Sequence, residues 1–424
     1  MSHGESMAPG DCCTDSHADT AMPLQRALEQ VLAVVEPVSE VEILDIREAL
    51  GRVLAKDVIS AVDVPAHTNS AMDGYALAAS DLPKTGNCTL QLVGTAWAGR
   101  PLQTRVEAGQ CARIMTGAVM PAGTDTVVMQ EHVERVDDGV VIDDRHRAGQ
   151  HVRPAGEDVA AGAVGARAGI VIHPAMLGVL ASLGVGRVSV LRRPRVAFFS
   201  TGDELVGIDE TLKEGQIYDS NRYTLYGVLT RLGMEVMDLG VVPDDPDALE
   251  SVLMEASREA DAIVTTGGVS VGEADFVTQI LEKVGKVNFW KVAMKPGRPF
   301  TFGRIGQACF FGLPGNPVSV MSTFYQLVQP ALLSMTGAQV EDPVIMLNAR
   351  VTHRLKKKPG RREFQRGVLQ RDAQGDYQVT GTRHQGAGVL SSMAAANCFI
   401  VLEEDRGAVE PGDMVTVQPF RGLV

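Results

Sequence analysis

Apolar residues recur along this chain in two rhythms, and the change from one to the other divides it. Between 196 and 335, runs of strand length at 196–199, 236–239, 262–264 and 309–311 alternate with stretches of helical period. One such stretch carries Tyr223, Leu225, Tyr226, Val228, Leu229 and Leu232; others cover 248–259, 276–284 and 318–333. Asp247 stands as the N-cap of 248–259. Strands alternating with helices predict a largely parallel sheet covered by helices.

The rest of the chain reads differently. Leu24, Ala27, Leu28, Val31, Leu32 and Val35 predict one helix face over 23–35. Residues 41–46 alternate like a strand, 46–54 lead into a short helix, and 57–64 are extended. Short alternating runs at 90–93, 111–114, 126–129 and 140–142, broken by Gly and Pro, predict a β-rich insert. A helix with Met176, Leu177, Val179, Leu180 and Leu183, then a strand over 188–191, closes a β-containing unit. Runs at 345–351, 367–369, 377–380, 398–402 and 414–419 predict a small separate β domain. Residues 65–76 are polar and turn-prone, so pattern alone does not separate a catalytic Asp73 from a turn aspartate. Residues 1–20 have no apolar segment and read as a disordered tail rather than a secretory signal.

Composition narrows the class. A chain of 424 residues exceeds one core, and several domains are expected. The net charge of −13 argues against a nucleic-acid partner, which needs a basic footprint. No apolar run reaches membrane-spanning length, so no membrane partner is expected. The six cysteines, Cys12, Cys13, Cys88, Cys111, Cys309 and Cys398, form no CxxC pair and fit free thiols in a reducing cytoplasm.

Candidate chemistry gathers late in the chain. The runs 262–264 and 309–311 each end in a Gly-containing turn followed by a helix, the arrangement with which an open α/β sheet cradles an anion. Lys291, Lys295 and Arg298 lie between those turns. Lys291 and Lys295, spaced i, i+4, share one side whether the segment is helical or extended. The expected carboxyl ends of the strands carry Asp203 and Glu204, Asp244 and Asp245, then Glu273 and Asp275. Glu204, Asp244 and Asp275 are candidate Mg²⁺ ligands. Asp203, Asp245 and Glu273 read as capping or turn residues. No Ser/His/Asp order, HExxH or P-loop motif is present.

At these residues the chain resembles the MoeA family of molybdopterin molybdenumtransferases and the E domain of gephyrin. The matching motifs are Asn69-Ser70-Ala71-Met72-Asp73-Gly74-Tyr75-Ala76, Arg113-Ile114-Met115-Thr116-Gly117-Ala118 and Gly156-Glu157-Asp158, followed by Ser200-Thr201-Gly202-Asp203-Glu204-Leu205, Thr266-Gly267-Gly268-Val269-Ser270-Val271-Gly272, Lys295-Pro296-Gly297 and Leu313-Pro314-Gly315-Asn316-Pro317. Phe364-Gln365-Arg366-Gly367 and Asn397-Cys398-Phe399-Ile400 match near the end.

The resemblance implies a multidomain α/β and β protein. A central three-layer α/β domain of molybdopterin-binding type would span 21–40 plus 193–340, with a linking β-containing domain of 41–66 plus 159–192, a β-rich insert of 67–158 and a C-terminal β domain of 341–424. It implies insertion of molybdate into adenylylated molybdopterin, with Mg²⁺-dependent release of AMP. The family's catalytic acids fall on Asp73, Asp158, Glu204, Asp244 and Asp275, and its anion-binding lysines on Lys291 and Lys295. The matched turns place Thr201, Gly202, Gly267, Gly268, Ser270, Gly272, Pro314, Gly315 and Asn316 at the ligand, with Arg366 near the site. A homodimer with a shared active site is implied, Asp73 and Asp158 coming from the other chain. A molybdopterin adenylyltransferase and molybdoenzyme maturation proteins are further implied partners, in the cytoplasm. Ala387-Gly388 stand where relatives often have Ser, and His67-Thr68 where an acid is common. The alternatives are the adenylyltransferase of the same pathway, a tungstate-preferring homologue and a non-enzymatic scaffold of the gephyrin type.

Overall fold

The computed structural model describes residues 21–267, 275–339 and 344–420. It divides into two compact units. One joins the described residues up to Glu40 with those from Arg192 onward; the other is Val41–Leu191.

The first unit is built on a six-stranded sheet in the order Glu235–Val242, Arg195–Thr201, Ala262–Thr266, Ala308–Leu313, Pro299–Ile305, Gly285–Lys291. The first four strands are parallel. The last two join antiparallel, as a hairpin that apolar periodicity did not mark. Arg195–Thr201 is apolar at every central position because both faces are covered. Val196 and Phe198 pack into one apolar cluster with Leu225, Leu229, Ala27 and Val31. Ala197 and Phe199 pack into another with Leu249, Leu253, Ile280 and Leu281. Successive side chains of a strand point to opposite faces, so this alternation gives three layers, as expected from sequence. Burying each phenylalanine contributes roughly 1.5–3 kcal/mol.

Helix caps follow local chemistry. Asp219 opens Ser220–Arg231 by accepting from the Arg222 N–H at 3.1 Å. Pro246 occupies the first turn of Pro246–Glu259, so the cap is Asp245, which accepts from Ala248 N at 2.9 Å. Asp247 is therefore a first-turn acid rather than the expected N-cap. The expected helix over 318–333 continues through a π turn, Phe324–Val328, between Pro317–Thr323 and Gln329–Met335. Pro330 has no N–H to give, and the wider turn accommodates it.

The C-terminal strands close on themselves. Arg362–Arg371 pairs with Tyr377–Gly381, that strand with Leu347–Val351, then Met414–Pro419, then Cys398–Leu402, which returns to Arg362–Arg371. Cys398, Ile400 and Leu402 face the barrel core. Phe399 and Val401 face outward into the α/β core, where Tyr325, Phe364 and Phe420 meet Phe399 edge to face. The barrel thus shares a core with the α/β body within one unit.

The second unit holds a six-stranded sheet in the order Thr126–Met129, Gly74–Leu77, Gln110–Ile114, Asn87–Ala96, Gly139–Asp143, Glu134–Val136. The expected runs all lie in it. Gly74–Leu77 was hidden in a polar stretch, yet it is wholly buried between two neighbours. A Cβ at Gly74 would stand 2.1 Å from the Val128 carbonyl oxygen, so only glycine fits. Val41–Asp45 pairs with Arg187–Leu191 beside the helix Pro174–Ser182. The expected helix over 46–54 is instead a turn. Ala49 N bonds back to Asp45 O at 3.1 Å, and Gly51 then takes φ +74°, which ends any helical course.

Candidate active site

Parallel strands send all their carboxyl ends to one edge of the sheet, and there the expected motifs gather. Arg195–Thr201 ends at Gly202 (φ +146°), Ala262–Thr266 at Gly267 (φ +84°) and Ala308–Leu313 at Pro314-Gly315-Asn316. The turns touch. A Cβ on Gly267 would lie 2.3 Å from the Thr201 carbonyl oxygen and 3.2 Å from its hydroxyl. One on Gly315 would lie 4.0 Å from the Gly267 Cα. Left-handed backbone favours glycine at 202 and 267, and at 267 the Thr201 carbonyl leaves no space for a side chain either. Asn221 Nδ2 donates to the Gly315 carbonyl at 2.7 Å.

Carboxylates crowd the same edge. Glu204 folds back so that a Cβ on Gly202 would meet its Oε2 at 2.5 Å. Asp244 N donates to Asp203 Oδ1 at 3.5 Å. Partial burial, then the charges of Asp203 and Glu204, push the Asp244 carboxyl above its ordinary range. Asp203, expected to be a turn residue, is therefore part of this acid group. Asp275 opens the helix Asp275–Val284, with its side chain outside the described residues. Gly268, Ser270, Gly272 and Glu273 lie outside them as well.

Among the described residues, no three His, Cys, Asp or Glu side chains converge as a ready-made metal cage. The mutual repulsion at Asp244 is nonetheless the environment a divalent cation relieves. Mg²⁺ takes one or two carboxylates together with waters and phosphate oxygens, so these residues fit it as a shared ligand rather than as a cage.

The two lysines part company. Lys291 ends the strand Gly285–Lys291 of the α/β sheet. Lys295 lies in Met294–Lys295, which pairs with the barrel strand Arg362–Arg371. They share neither a helix nor a strand, against the expectation from their spacing. Both are exposed. Lys295 Nζ stands 3.5 Å from Glu363 Oε1.

Arg366, expected at the ligand, turns its guanidinium into the protein and is 1% exposed. It donates to Ser392 Oγ at 3.1 Å and to the carbonyls of His384 and Gly386 at 3.3 and 3.1 Å. Burial pulls its pKa down to about 10. The segment it holds reaches the glycine turn next door, since Val318 N donates to Ala387 O at 3.0 Å. A Cβ on Gly388 would lie 3.9 Å from Asn316 Oδ1. Arg366 therefore reaches that turn through this segment.

Asp73 and Asp158 belong to the second unit. Asp73 Oδ1 accepts from the N–H and the hydroxyl of Thr116, both at 2.7 Å. Those bonds hold its carboxyl below the usual range, with the Arg113 charge adding to them. Its carbonyl accepts from Gln130 N at 3.1 Å. Asp158 is exposed, and its N–H donates to Val64 O at 2.9 Å. Sequence reasoning placed Asp203 at this edge but as a turn residue, and it missed Asn221 and Glu363 as neighbours of the site. Only the fold brings them there, and no spacing signals it.

Touching glycine turns and clustered acids at the carboxyl end of a parallel sheet define an anion-ligand protein of the open α/β class. Three family models match in chain order: "MoeA N-terminal region (domain I and II)" over residues 22–184, "Probable molybdopterin binding domain" over 197–334 and "MoeA C-terminal region (domain IV)" over 348–420. A molybdopterin molybdenumtransferase of Haemophilus influenzae is 44% identical over 404 residues, covering 95% of this chain and 100% of that one. One of Nostoc is 36% identical, covering 95% of this chain and 94% of the relative. The crystal structure of a molybdopterin biosynthesis moeA protein from Pyrococcus horikoshii OT3 matches with TM-score 0.83 at 29% identity, covering 94% of this chain and 100% of that chain. The chain belongs to the molybdopterin molybdenumtransferase family, a family of transferases in molybdenum cofactor biosynthesis.

Proposed function

We propose that this protein inserts molybdate into adenylylated molybdopterin and releases AMP, with Mg²⁺. The observation that carries the reading is the acid group of Asp203, Glu204 and Asp244 beside the touching turns at Gly202, Gly267 and Gly315. Backbone at those turns receives the phosphates of the ligand, and Lys291 and Lys295 offer cations to molybdate. Glu204 and Asp244, with Asp275, would hold Mg²⁺, which when bound supplies charge neutralisation at the phosphoanhydride. Water cleaves that anhydride, leaving the pterin phosphate and AMP. The dithiolene sulfurs are the donors to molybdenum, so no protein thiol is consumed. Cys88, Cys111, Cys309 and Cys398 are free. Burial pushes the thiols of Cys111 and Cys398 up to about 12, which keeps them protonated.

The reading includes a homodimer in which Asp73 and Asp158 complete the partner's site. Its support is apolar surface on the unit that carries them: Val41 and Ile43, 47% and 61% exposed, share one face of the strand Val41–Asp45. Such surface favours self-association. Cytoplasmic residence and hand-over from an adenylyltransferase follow from the same reading; no helix among the described residues is long and apolar enough to cross a membrane. The test is to incubate pure protein with adenylylated molybdopterin, Mg²⁺ and either molybdate or tungstate. AMP should appear only with an oxyanion present, and at lower molybdate than tungstate. Protein that binds the pterin but never releases AMP would refute the enzymatic reading, and release favoured by tungstate would reassign the metal.

A further inference from the structure

We infer that Glu363 is an affinity-limiting counter-charge for the oxyanion held at Lys295. This rests on the reading of Lys295 as an oxyanion-binding residue. In the parallel pairing of Met294–Lys295 with Arg362–Arg371, Lys295 is aligned with Glu363. The two side chains differ sharply in exposure, 55% for Lys295 and 8% for Glu363. Their charged atoms stand 3.5 Å apart. The lysine thus presents its ammonium to solvent with an acid set behind it.

That acid is fixed. Its Oε2 accepts from Gln365 Nε2 at 3.0 Å, and the same amide nitrogen donates to Lys356 O at 2.8 Å. The nearby Lys357 is 6% exposed, and its ammonium donates to the carbonyls of Lys358 and Glu404 at 3.0 and 3.4 Å. Burial lowers the pKa of Lys357, against the raising pull of Glu363, Glu404 and Asp405. Lys357 therefore shares the Glu363 charge without coming to the surface. The outward cation of this group is Lys295.

The sign of the effect follows from Coulomb's law. A dianion in contact with the Lys295 ammonium sits about twice as far from the Glu363 carboxylate, and both interactions scale with its double charge. The acid subtracts a large part of what the lysine adds. A buried carboxylate is also poorly screened by salt, unlike the exposed ammonium. The consequence is a subsite that takes oxyanions weakly on its own and gains affinity only when other cations share the ligand. Sulfate, a tetrahedral dianion like molybdate, and the dianion of phosphate are then kept from occupying it permanently.

The experiment measures molybdate and sulfate binding by calorimetry with the full-length protein, without pterin, at low and high salt. Glu363→Gln keeps the shape and the bond to Gln365 while removing the charge. It should tighten both oxyanions by about tenfold. Glu363→Asp, which withdraws the carboxylate by one methylene, should tighten them by about threefold and serves if Glu363→Gln does not fold. Lys295→Ala should weaken both. Unchanged or weaker binding in the Glu363 variants, with Lys295→Ala still impaired, overturns this inference alone. Binding by Lys295→Ala equal to wild type overturns the reading of Lys295 and this inference with it.

Discussion

The two ends of the α/β sheet carry opposite kinds of electrostatics. At the amino end a cleft of about 180 Å³ is lined by Glu36, Glu40, Arg192, Asp261 and Arg304. Its central charges are matched. Arg192 donates to both oxygens of Asp261, at 2.6 and 2.8 Å, and also to Glu40. Asp261 accepts in addition from Arg195 N at 2.7 Å. At the carboxyl end Asp203, Glu204 and Asp244 stand together, and no arginine or lysine is paired with them in an ion pair among the described residues. Beside them the buried Thr201 hydroxyl, Asp219 Oδ2 and Asn221 Oδ1 have no hydrogen-bond partner among the described residues. A protein gains stability by compensating its charges, so acids with no cation beside them among the described residues mark a place for a ligand. The amino end ties strands to the chain around them; the carboxyl end waits for phosphate, metal and oxyanion.

The largest effect tests whether the carboxyl end is complete within one chain. Asp73→Asn and Asp244→Asn dimers should each keep only about 1% of wild-type activity, and mixed dimers should recover about half of it. One site then carries both lesions and the other none. Activity that stays at that low level, with subunit exchange confirmed by mass, would place both residues in one chain's site.

A smaller effect separates function from folding at Asp244. Asp244→Asn should lower kcat by about 10²-fold, a typical cost for one electrostatic group. Its melting temperature should not fall, because the substitution removes a repelled charge. A raised carboxyl pKa costs stability above the unfolded value and is relieved as pH drops, so the wild type should lose this penalty in mild acid. A substantial destabilisation of Asp244→Asn at neutral pH would mean that the acid group serves the fold.

The smallest change is expected in the opposite direction, at the amino end. Asp261→Ala should cost about 2 kcal/mol in denaturant unfolding, since it takes two bonds from the partly buried Arg192 and one from the Arg195 N–H. Burial would raise the Asp261 carboxyl, but its bonds to Arg192 and Arg195 override this and lower it. A depressed carboxyl contributes stability above its unfolded pKa and loses it as pH falls through the folded one. The gap between Asp261→Ala and wild type should therefore close in acid. Activity of the folded variant should change little, and a loss as large as that of Asp244→Asn would erase the distinction between the two ends.

Much of this was legible in the sequence because burial on both faces of a sheet leaves an unbroken apolar run. The runs 196–199, 262–264, 309–311 and 398–402 were marked that way, and the covering helices by their helical period. The glycine turns were legible for a related reason: backbone that needs a left-handed residue accepts few alternatives, as at Gly202 and Gly267. Gly74–Leu77 was not, because its burial comes from strands far along the chain and its flanks are polar. Nor was the inward turn of Arg366, whose partners at 384–392 are set by barrel closure. The pairing of Lys295 with Glu363 has the same origin. Sequence determines which segments must leave water and where the chain must turn, since those demands are local. Which charges meet depends on contacts between distant segments, and only the tertiary structure decided that.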